Sequence, residues 1–415
     1  MTEQRSEPGV FAPEKLAKLV TVGRSTQLPH IVMVRFAQSG GAFFVLAGKA
    51  GSDWVLNSLA AGRAKLRLGE YAYEVSVAVE RDSSRVLELY SKKYGRALTS
   101  SWYSAAETCL KLTPTAPPVR RGAARGEGEA KTDFAMWRKE NGDYYAGVAN
   151  AFDSASDEYD FTIRNNFINR WIRDRSIREL LKLTRPDDTL LEIGCGTGAE
   201  AVEISKHVTG IVATDISPSM IGILRRKVDA RRLGKKVRPL QLSASEVSLA
   251  SSALPGGRAR IVYSFNGALN CEPEIERFPG ELSKVMEDAG FFVCSIRNSF
   301  CLSEAVAHGA VLQFGKMAPR KRQPVMVSVG GMDIPSYYYR PRRFADFFSS
   351  RFTVKKMIGL PAILPPAYLS DIYFKARGLL SFTERAEEAL AGTYPFNRFG
   401  DQTLFVFQKR RESTP

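Results

Sequence analysis

Residues 190–198 read Leu-Leu-Glu-Ile-Gly-Cys-Gly-Thr-Gly, an apolar run closed by three glycines on alternate positions. Gly194, Gly196 and Gly198 carry no β-carbon, so a ligand can approach the main chain closely. Glu192 stands two residues before the first glycine, and Cys195 fills the first gap. The next apolar run, Gly-Ile-Val-Ala-Thr-Asp, ends on Asp215, 21 positions after Gly194. A carboxylate at the end of a second parallel strand is placed to accept both hydroxyls of a ribose, and the helix after the glycines offers its amino end. The dinucleotide fingerprint differs, because its third glycine comes one residue later to pack helix against pyrophosphate. The present spacing suits a nucleoside ligand with an amino-acid tail and no phosphate. Glu192 would then meet the cationic end, directly or through water.

These residues meet only if strands and helices alternate around them. Apolar runs at Thr189–Gly194, Gly210–Asp215, Arg238–Ser243, Arg260–Phe265 and Gly290–Arg297 read as strands, with helical stretches between them. That is the pattern of a doubly wound parallel sheet, which binds ligands beyond the carboxyl ends of its strands. Asn166–Leu183 places Phe167, Trp171, Ile172, Ile177, Leu180 and Leu181 on one helical stripe. Phe134–Gly147, with Trp137, Tyr144 and Tyr145, is expected to lead into a helix that lids the domain.

The set Glu192, Gly194, Gly196, Gly198 and Asp215 resembles class I methyltransferases that use S-adenosylmethionine, over about 150–296 and onward to the C-terminus. The resemblance implies an α/β, Rossmann-like seven-stranded sheet and S-adenosylmethionine as cofactor. Phe152-Asp…Tyr159-Asp160 looks like the family's segment before the glycines, which carries Tyr159 over as a cofactor-side residue. Cys195 and Ile216 adjoin the matched positions and are carried over with them. Asn266 and Gly267, after the fourth strand, would sit near the methionyl moiety. The place where an acid often meets the adenine amine reads Ser243-Ala-Ser-Glu246, so Ser245 or Glu246 is the candidate there. Cys195 and Cys271 have no neighbouring histidine in sequence and read as turn and core residues rather than nucleophiles.

Methyl transfer from a sulfonium releases a neutral group, so proximity can carry the reaction and no catalytic dyad is required. None is visible, and the catalytic residues stay unassigned. The sequence also lacks an Asn-Pro-Pro-Tyr loop after the fourth strand, which weighs against amine methylation of nucleic-acid bases or protein glutamine. Phe352–Leu360 and Gln402–Gln408 are expected to form a closing antiparallel hairpin, and residues 301–400 hold a substrate insertion. That region combines Met317-Ala-Pro-Arg-Lys-Arg322, Tyr337-Tyr-Tyr-Arg340 and a Pro-rich run at 360–369 with Arg342, Arg343, Lys355, Lys356, Lys375 and Arg377. Such a roof suits a lipophilic or aromatic anionic acceptor, or a substrate at a membrane surface. The bland alternative is a packed hairpin with ordinary basic decoration. The runs Arg225-Arg-Lys227 and Arg231–Arg238 would suit nucleic acid, but a solvated helix face explains them as well.

Residues 113–131, rich in proline, glycine and charge, read as a linker that ends a first domain at 112 and opens a second at 132. The first is mainly β, with strands at Lys18–Val22, Ile31–Phe36, Ala42–Ala47, Ala64–Leu68 and Ala72–Glu80, and helices at Asp53–Ala61 and Ser83–Tyr94. Thr21–His30, Ser52–Leu59, Lys93-Tyr-Gly95 and Ser101-Trp-Tyr103 resemble the split β-barrels of deazaflavin-dependent nitroreductases over residues 12–113. That resemblance implies a flavin or deazaflavin whose phosphates could meet Arg24 and Lys49. Trp54 and Asn57 match the helix motif. In the family's turn a second basic residue and a glycine are usual, and here Ser25-Thr26-Gln27 replaces them. Two readings stay open: a redox site, making the protein bifunctional, or a non-catalytic module through which two copies pair.

The 415 residues carry 59 Lys/Arg against 44 Asp/Glu. The excess is uneven: residues 1–131 hold 19 basic against 12 acidic, 132–296 hold 22 against 23, and 297–411 hold 18 against 8. Basic charge therefore belongs to the first domain and the last quarter, not to the nucleotide-binding core. No run reaches the ~18 apolar residues of a membrane span, and Met1–Pro8 has no signal-peptide core. The five cysteines and three histidines show no metal-ligand spacing. The chain reads as cytoplasmic and reduced, acting on a small or lipophilic molecule.

Overall fold

The structure, a computed structural model, describes residues 14–69, 71–103, 105–120, 134–135, 142–310, 320, 323–369 and 383–411. The chain divides into two compact units, Met1–Ala124 and Arg125–Pro415.

In the first unit, β1 (Ala17–Val22), β2 (Pro29–Val34), β3 (Ala37–Ser39), β4 (Ala42–Ala47), β5 (Arg63–Leu68), β6 (Tyr71–Val79), β7 (Thr108–Pro114) and β8 (Val119–Arg120) form one antiparallel sheet. Its order is β2-β1-β5-β6-β7-β4-β3, and β8 pairs with β6. Three helices accompany it: α1 (Asp53–Ala61), α2 (Ser83–Tyr94) and α3 (Arg96–Tyr103). The sheet therefore runs on past residue 112, into the stretch where composition suggests a linker. Cys109, Leu110 and Leu112 are buried, and that burial outweighs the proline-rich sequence that follows. The mainly β character matches the expectation; β2 and β3 end the sheet and do not pair with each other.

In the second unit α4 (Tyr144–Asn165) and α5 (Phe167–Leu181) precede the sheet. Asp143 caps α4 by accepting from the Tyr145 and Ala146 amides, and Asn166 caps α5 through the Asn169 amide. The expected lid helix is α4. Trp137 and the rest of 136–141 lie outside the described residues. Seven strands follow: β9 (Thr189–Ile193), β10 (Gly210–Asp215), β11 (Val237–Gln241), β12 (Ala259–Ser264), β13 (Met286–Arg297), β16 (Phe352–Leu360) and β17 (Gln402–Lys409). Their order is β11-β10-β9-β12-β13-β17-β16, parallel except that β17 runs antiparallel to both its neighbours. The expected closing hairpin is thus present. A separate two-stranded ribbon, β14 (Val325–Val329) and β15 (Met332–Ser336), lies within the segment between β13 and β16.

Strand periodicity of two gives the sheet two apolar faces. Leu190, Ile211, Ala213, Ile261 and Leu404 pack under α5, α6 (Ala199–Ile204) and α7 (Pro218–Ala230). Leu191, Ile193, Val212, Phe292 and Phe407 pack on the other face against α8 (Phe278–Lys284) and α10 (Pro341–Phe348). A short helix, α9 (Leu302–Ala310), follows β13. Phe348 stacks on Phe407 with 4.7 Å between ring centroids, which fixes α10 against the sheet. No helix among the described residues is long and apolar enough to cross a membrane.

Candidate active site

At the carboxyl end of β9 the backbone turns through Gly194 (φ 70°), Gly196 (φ 53°) and Gly198 (φ 73°). These conformations favour glycine, but the three glycines have different neighbours. A β-carbon on Gly194 would lie 2.3 Å from Cβ of Ala268, which follows β12. On Gly196 it would lie 3.1 Å from the Tyr159 ring of α4, and on Gly198 2.2 Å from Cδ1 of Leu224 in α7. The turn is therefore squeezed between a loop, the lid helix and the core.

A cleft of about 770 Å³, counting its open mouth, lies over this turn. Tyr159, Gly194, Gly196, Asp215, Ile216 and Asn266 line it together. Four other expected positions do not. Glu192 is buried beneath the turn, on the face of β9 that also carries Leu190, because side chains two apart share a face. Burial pushes its carboxyl well above the usual range, and the nearby Glu200 pushes it further. Its Oε2 is buried with no hydrogen-bond partner among the described residues. Cys195 is buried, with its thiol pushed up by desolvation, and Gly198 faces Leu224. Ser245 bonds to Ser243 (Oγ–Oγ 2.8 Å), and it is Ser243 and Ala244 that reach the cleft. Glu246 is occupied in capping Ser243, accepting from both its amide and its hydroxyl.

Asp215 is the best-positioned group. Its Oδ2 accepts from the Gly196 amide at 2.7 Å and its Oδ1 from the Ser217 amide at 2.9 Å. Each carboxylate oxygen has a second lone pair, so two hydroxyls could still be accepted while the backbone holds the group. Burial raises its pKa to about 6, against the lowering effect of these amides.

The lid helix is pinned by carboxylates. Asp153 accepts from the Ser217 hydroxyl and the Ser219 amide at the start of α7. Asp160 pairs with Lys227 and accepts from the Thr197 hydroxyl. Lys227 also donates to the Thr197 carbonyl at 2.8 Å. One member of the basic run 225–227 is thus a buried structural cation, not part of a solvated face. At its other end, α4 donates from Tyr144 to the Cys271 carbonyl (3.0 Å) and from Tyr145 to Glu272 (2.8 Å).

Tyr145, Glu272, Leu242 and Ser243 line the cleft and escaped sequence reasoning as ligand-facing groups. Glu272 brings a carboxylate to the same cleft that Ser243 lines. Only contacts across the fold could have found it, since it follows a different strand. Cys271 lines the cleft as well, but burial pushes its thiol up to about 12, which suits a passive wall. Asn266 (φ 56°) donates from its amide to Ser295 (2.8 Å) and from Nδ2 to Glu200 (3.1 Å).

Two of the cations assigned to a substrate roof lie on β16. Lys356 pairs with Glu179 at 2.8 Å, and Lys355 is exposed on β16. Arg320 is buried between Glu304 and Asp401. Arg342 and Arg343 line a second groove. The rest of Met317–Arg322, with Lys375 and Arg377, lies outside the described residues.

In the first unit, Arg24 donates from its amide and from Nε to Asn57 Oδ1, both at 3.2 Å, and pairs with Asp53 at 3.3 Å. Trp54 packs on that unit's core. Among the described residues no cluster of His, Cys, Asp or Glu could hold a metal.

Residues 190–290 match the sequence pattern of the family described as "Methyltransferase domain". The matched span runs from β9 through the turn, Asp215 and the loop after β12. The second unit carries a methyltransferase domain. A curated relative, the magnesium-protoporphyrin O-methyltransferase of Rhodobacter capsulatus, is 28% identical over 158 residues. The match takes in 37% of this chain and 64% of that protein, just under two thirds of its length. Among solved structures, geranyl diphosphate C-methyltransferase from Streptomyces coelicolor A3(2) is 15% identical, with 58% of this chain and 79% of that one covered and a TM-score of 0.36. The YcgJ protein of Bacillus subtilis is 17% identical, with 58% and 100% covered and a TM-score of 0.37.

The methyltransferase domain fits the cofactor that the glycine turn and Asp215 suggest. Gly194 and Gly196 lay bare main chain along the cleft, and a carboxylate held by two amides stands on its wall.

Proposed function

We propose that this protein transfers a methyl group from S-adenosylmethionine to a small or lipophilic metabolite. The observation that carries the reading is Asp215, braced by the Gly196 and Ser217 amides on the wall of a cleft above the glycine turn. When bound, S-adenosylmethionine supplies an electrophilic methyl group on a sulfonium. The chain's own part is to bind and align. Asp215 would hold the ribose, Glu272 and Ser243 the adenine edge, and Asn266, Gly267 and Tyr159 the methionyl end. Proximity and orientation then carry the rate. The relative named for magnesium-protoporphyrin is consistent with a metabolite acceptor. A nucleic-acid acceptor is disfavoured because Lys235, Lys236 and Arg238 gather around Thr189 and Gly210, at the amino ends of β9 and β10. The cleft lies at the opposite ends of those strands.

Calorimetry with S-adenosylmethionine tests the reading. Asp215→Ala is expected to lose a charge-assisted contact of about 1.5–3 kcal/mol, or roughly 10- to 150-fold in affinity. Unchanged affinity would rule out the ribose assignment. The raised pKa of Asp215 adds a pH signature. Below about pH 6 the free protein's Asp215 takes up a proton, and a neutral carboxyl is a poorer acceptor. Affinity should therefore fall as pH drops through 6, and Asp215→Asn should flatten that profile. Stability moves the other way: the folded pKa lies above the unfolded one, so ionised Asp215 is a cost that is relieved as pH falls from about 6 to about 4.

For the first unit we propose a split-barrel module through which two copies pair. The outer face of β1 and β2 supports this. Met33 pairs with Lys18 and Pro29 with Val22, opposite the core side of Leu19. Val22 and Met33 are both more than two-fifths exposed. Met33→Glu should convert a dimer to a monomer in light scattering; an unchanged mass would end that reading. A flavin or deazaflavin role is less favoured, because Asp53 and Asn57 already engage Arg24. Absence of a flavin-like chromophore in purified protein that also fails to bind one would dismiss it.

A further inference from the structure

A broad groove on the methyltransferase unit, separate from the cofactor cleft, has a volume of about 2210 Å³ counting its open side. Rings make up much of its wall. Phe300 meets Phe399 edge-on at 5.8 Å, and Tyr339 meets Phe347 edge-on at 5.8 Å. Apolar surface continues past the groove onto α9. The Leu302 amide donates to the Phe399 carbonyl at 2.8 Å, so that helix starts beside a ring pair. Leu302 and Val306 lie one turn apart on one helix face and are 36% and 62% exposed. Tyr394 and Phe300, in the groove itself, are 71% and 40% exposed. Four large apolar side chains left in water on and beside one groove mark a surface that meets something else.

Arginines stand among these groups. Arg340, Arg342, Arg343 and Arg398 line the groove and are all exposed. Among the described residues none of the four pairs with a carboxylate. The lining sets two acids against them, Glu276 and Asp346. Arg320 also reaches the groove, but Glu304 and Asp401 neutralise that cation. The Arg343 and Arg398 guanidinium groups lie 5.9 Å and 5.5 Å from the Phe347 and Tyr394 rings. Rings and aliphatic side chains with cations beside them suit the boundary of a bilayer, where apolar groups reach below the headgroups and arginines meet the phosphates. An acidic polymer, whether nucleic acid or peptide, would use the arginines but leave Leu302 and Val306 in water. A lipid surface covers both kinds of group at once.

We propose that this face docks on an anionic lipid bilayer, as a peripheral and reversible contact. The proposal concerns the surface alone: it places no acceptor in the groove and stands whether or not the methyl-transfer reading does. Two forces act together. Attraction between the four arginines and acidic headgroups gathers the protein at the membrane and is screened by salt. Burial of Phe300, Leu302, Val306 and Tyr394 in the interface then holds the face there. Charge without apolar surface is not enough. Arg225 and Arg226 on α7 are exposed as well, but no large apolar residue between 218 and 238 is exposed beside them. That helix supplies the internal control.

The test is co-sedimentation of the full chain with two kinds of vesicle: phosphatidylcholine alone, and phosphatidylcholine with about 30% phosphatidylglycerol. The anionic vesicles should bind about tenfold or more tightly than the neutral ones, and less so as salt rises from about 0.05 to about 0.5 M. Arg342→Ala/Arg343→Ala should lose about tenfold on the anionic vesicles. Val306→Ser/Tyr394→Ser changes no charge and should lose severalfold. Arg225→Ala/Arg226→Ala removes the same charge from α7 and should lose less than about twofold. All six residues are exposed, so thermal midpoints should match the parent's and separate lost docking from lost fold. Equal binding to both vesicles, or binding to neither, overturns the proposal. A control pair that loses as much as the groove pair overturns it too, since net charge alone would then explain the binding. A serine variant that binds like the parent also overturns it, and would assign the arginines to an acidic peptide or a nucleic acid.

Discussion

Gly194→Ala should unfold the cofactor turn at a cost of about 2–5 kcal/mol and abolish measurable S-adenosylmethionine binding. Two penalties add. The left-handed backbone at φ 70° costs a residue with a β-carbon about 1–2 kcal/mol. The new methyl would sit 2.3 Å from Cβ of Ala268, and overpacking of this kind costs about 1–3 kcal/mol. Ala268 cannot rotate its β-carbon away, so the loop carrying Asn266 and Gly267 must move instead, and it lines the same cleft. Gly198→Ala is expected to be milder, because the atom it meets is the end of the Leu224 side chain. Gly280→Ala is the control. It lies in α8 with no atom within 4 Å of its would-be β-carbon, and helix propensity predicts a gain of up to about 1 kcal/mol. Urea denaturation and calorimetry on all three would check the ranking. A Gly194→Ala protein as stable as the parent would show that the turn is not squeezed as described.

Arg320→Met should be the most destabilising single substitution on the substrate side, at about 3–5 kcal/mol. The guanidinium donates from Nη1 to the Asn298 and Asp401 carbonyls (3.0 and 3.2 Å), and from Nη2 to Asp401 Oδ1 (2.6 Å) and Glu304 Oε1 (3.1 Å). Its Nε lies 3.0 Å from Glu304 Oε2. All three charged groups are almost fully buried. Removing the cation leaves Glu304 without its counter-charge and Asp401 with Arg297 alone, at 3.9 Å, the costly direction in which to break a buried pair. Denaturant midpoints measure the loss, and adding Glu304→Gln should restore part of it. A loss below about 1 kcal/mol would mean that water reaches the cluster. Because this cluster ties the residues just after β13 to the start of β17, the variant should also loosen the groove that Arg320 lines.

Local pattern settled the frame of this protein. The runs Gly210–Asp215, Phe352–Leu360, Asp53–Ala61 and Ser83–Tyr94 fold within the bounds that apolar periodicity suggests, since periodicity and capping are properties of neighbouring residues. The glycine spacing with Asp215 pointed to the cleft for the same reason: a bare turn and a strand-end acid are legible one strand at a time. Side-chain direction was not. Glu192 and Ile193 are adjacent in sequence, yet one is buried beneath the turn and the other lines the cleft. That choice depends on which face of β9 the glycine turn leaves open.

Residues far apart in the chain and joined by charge were the least legible. Lys227 and Arg320 sit in basic runs that suggest solvent or substrate, and the fold buries both against carboxylates: Asp160 for the first, Glu304 and Asp401 for the second. Composition records a cation but not its partner. Glu272 and the ring-lined groove likewise exist only because β12, α4 and the segment before α10 are brought together. The parallel sheet, the bare turn and the acid facing it were legible along the chain, because each is a short-range pattern with one stable geometry. Which charges are spent inside and which remain to meet a ligand was decided by the tertiary structure, since a buried ion must find its counter-ion wherever the chain happens to pass.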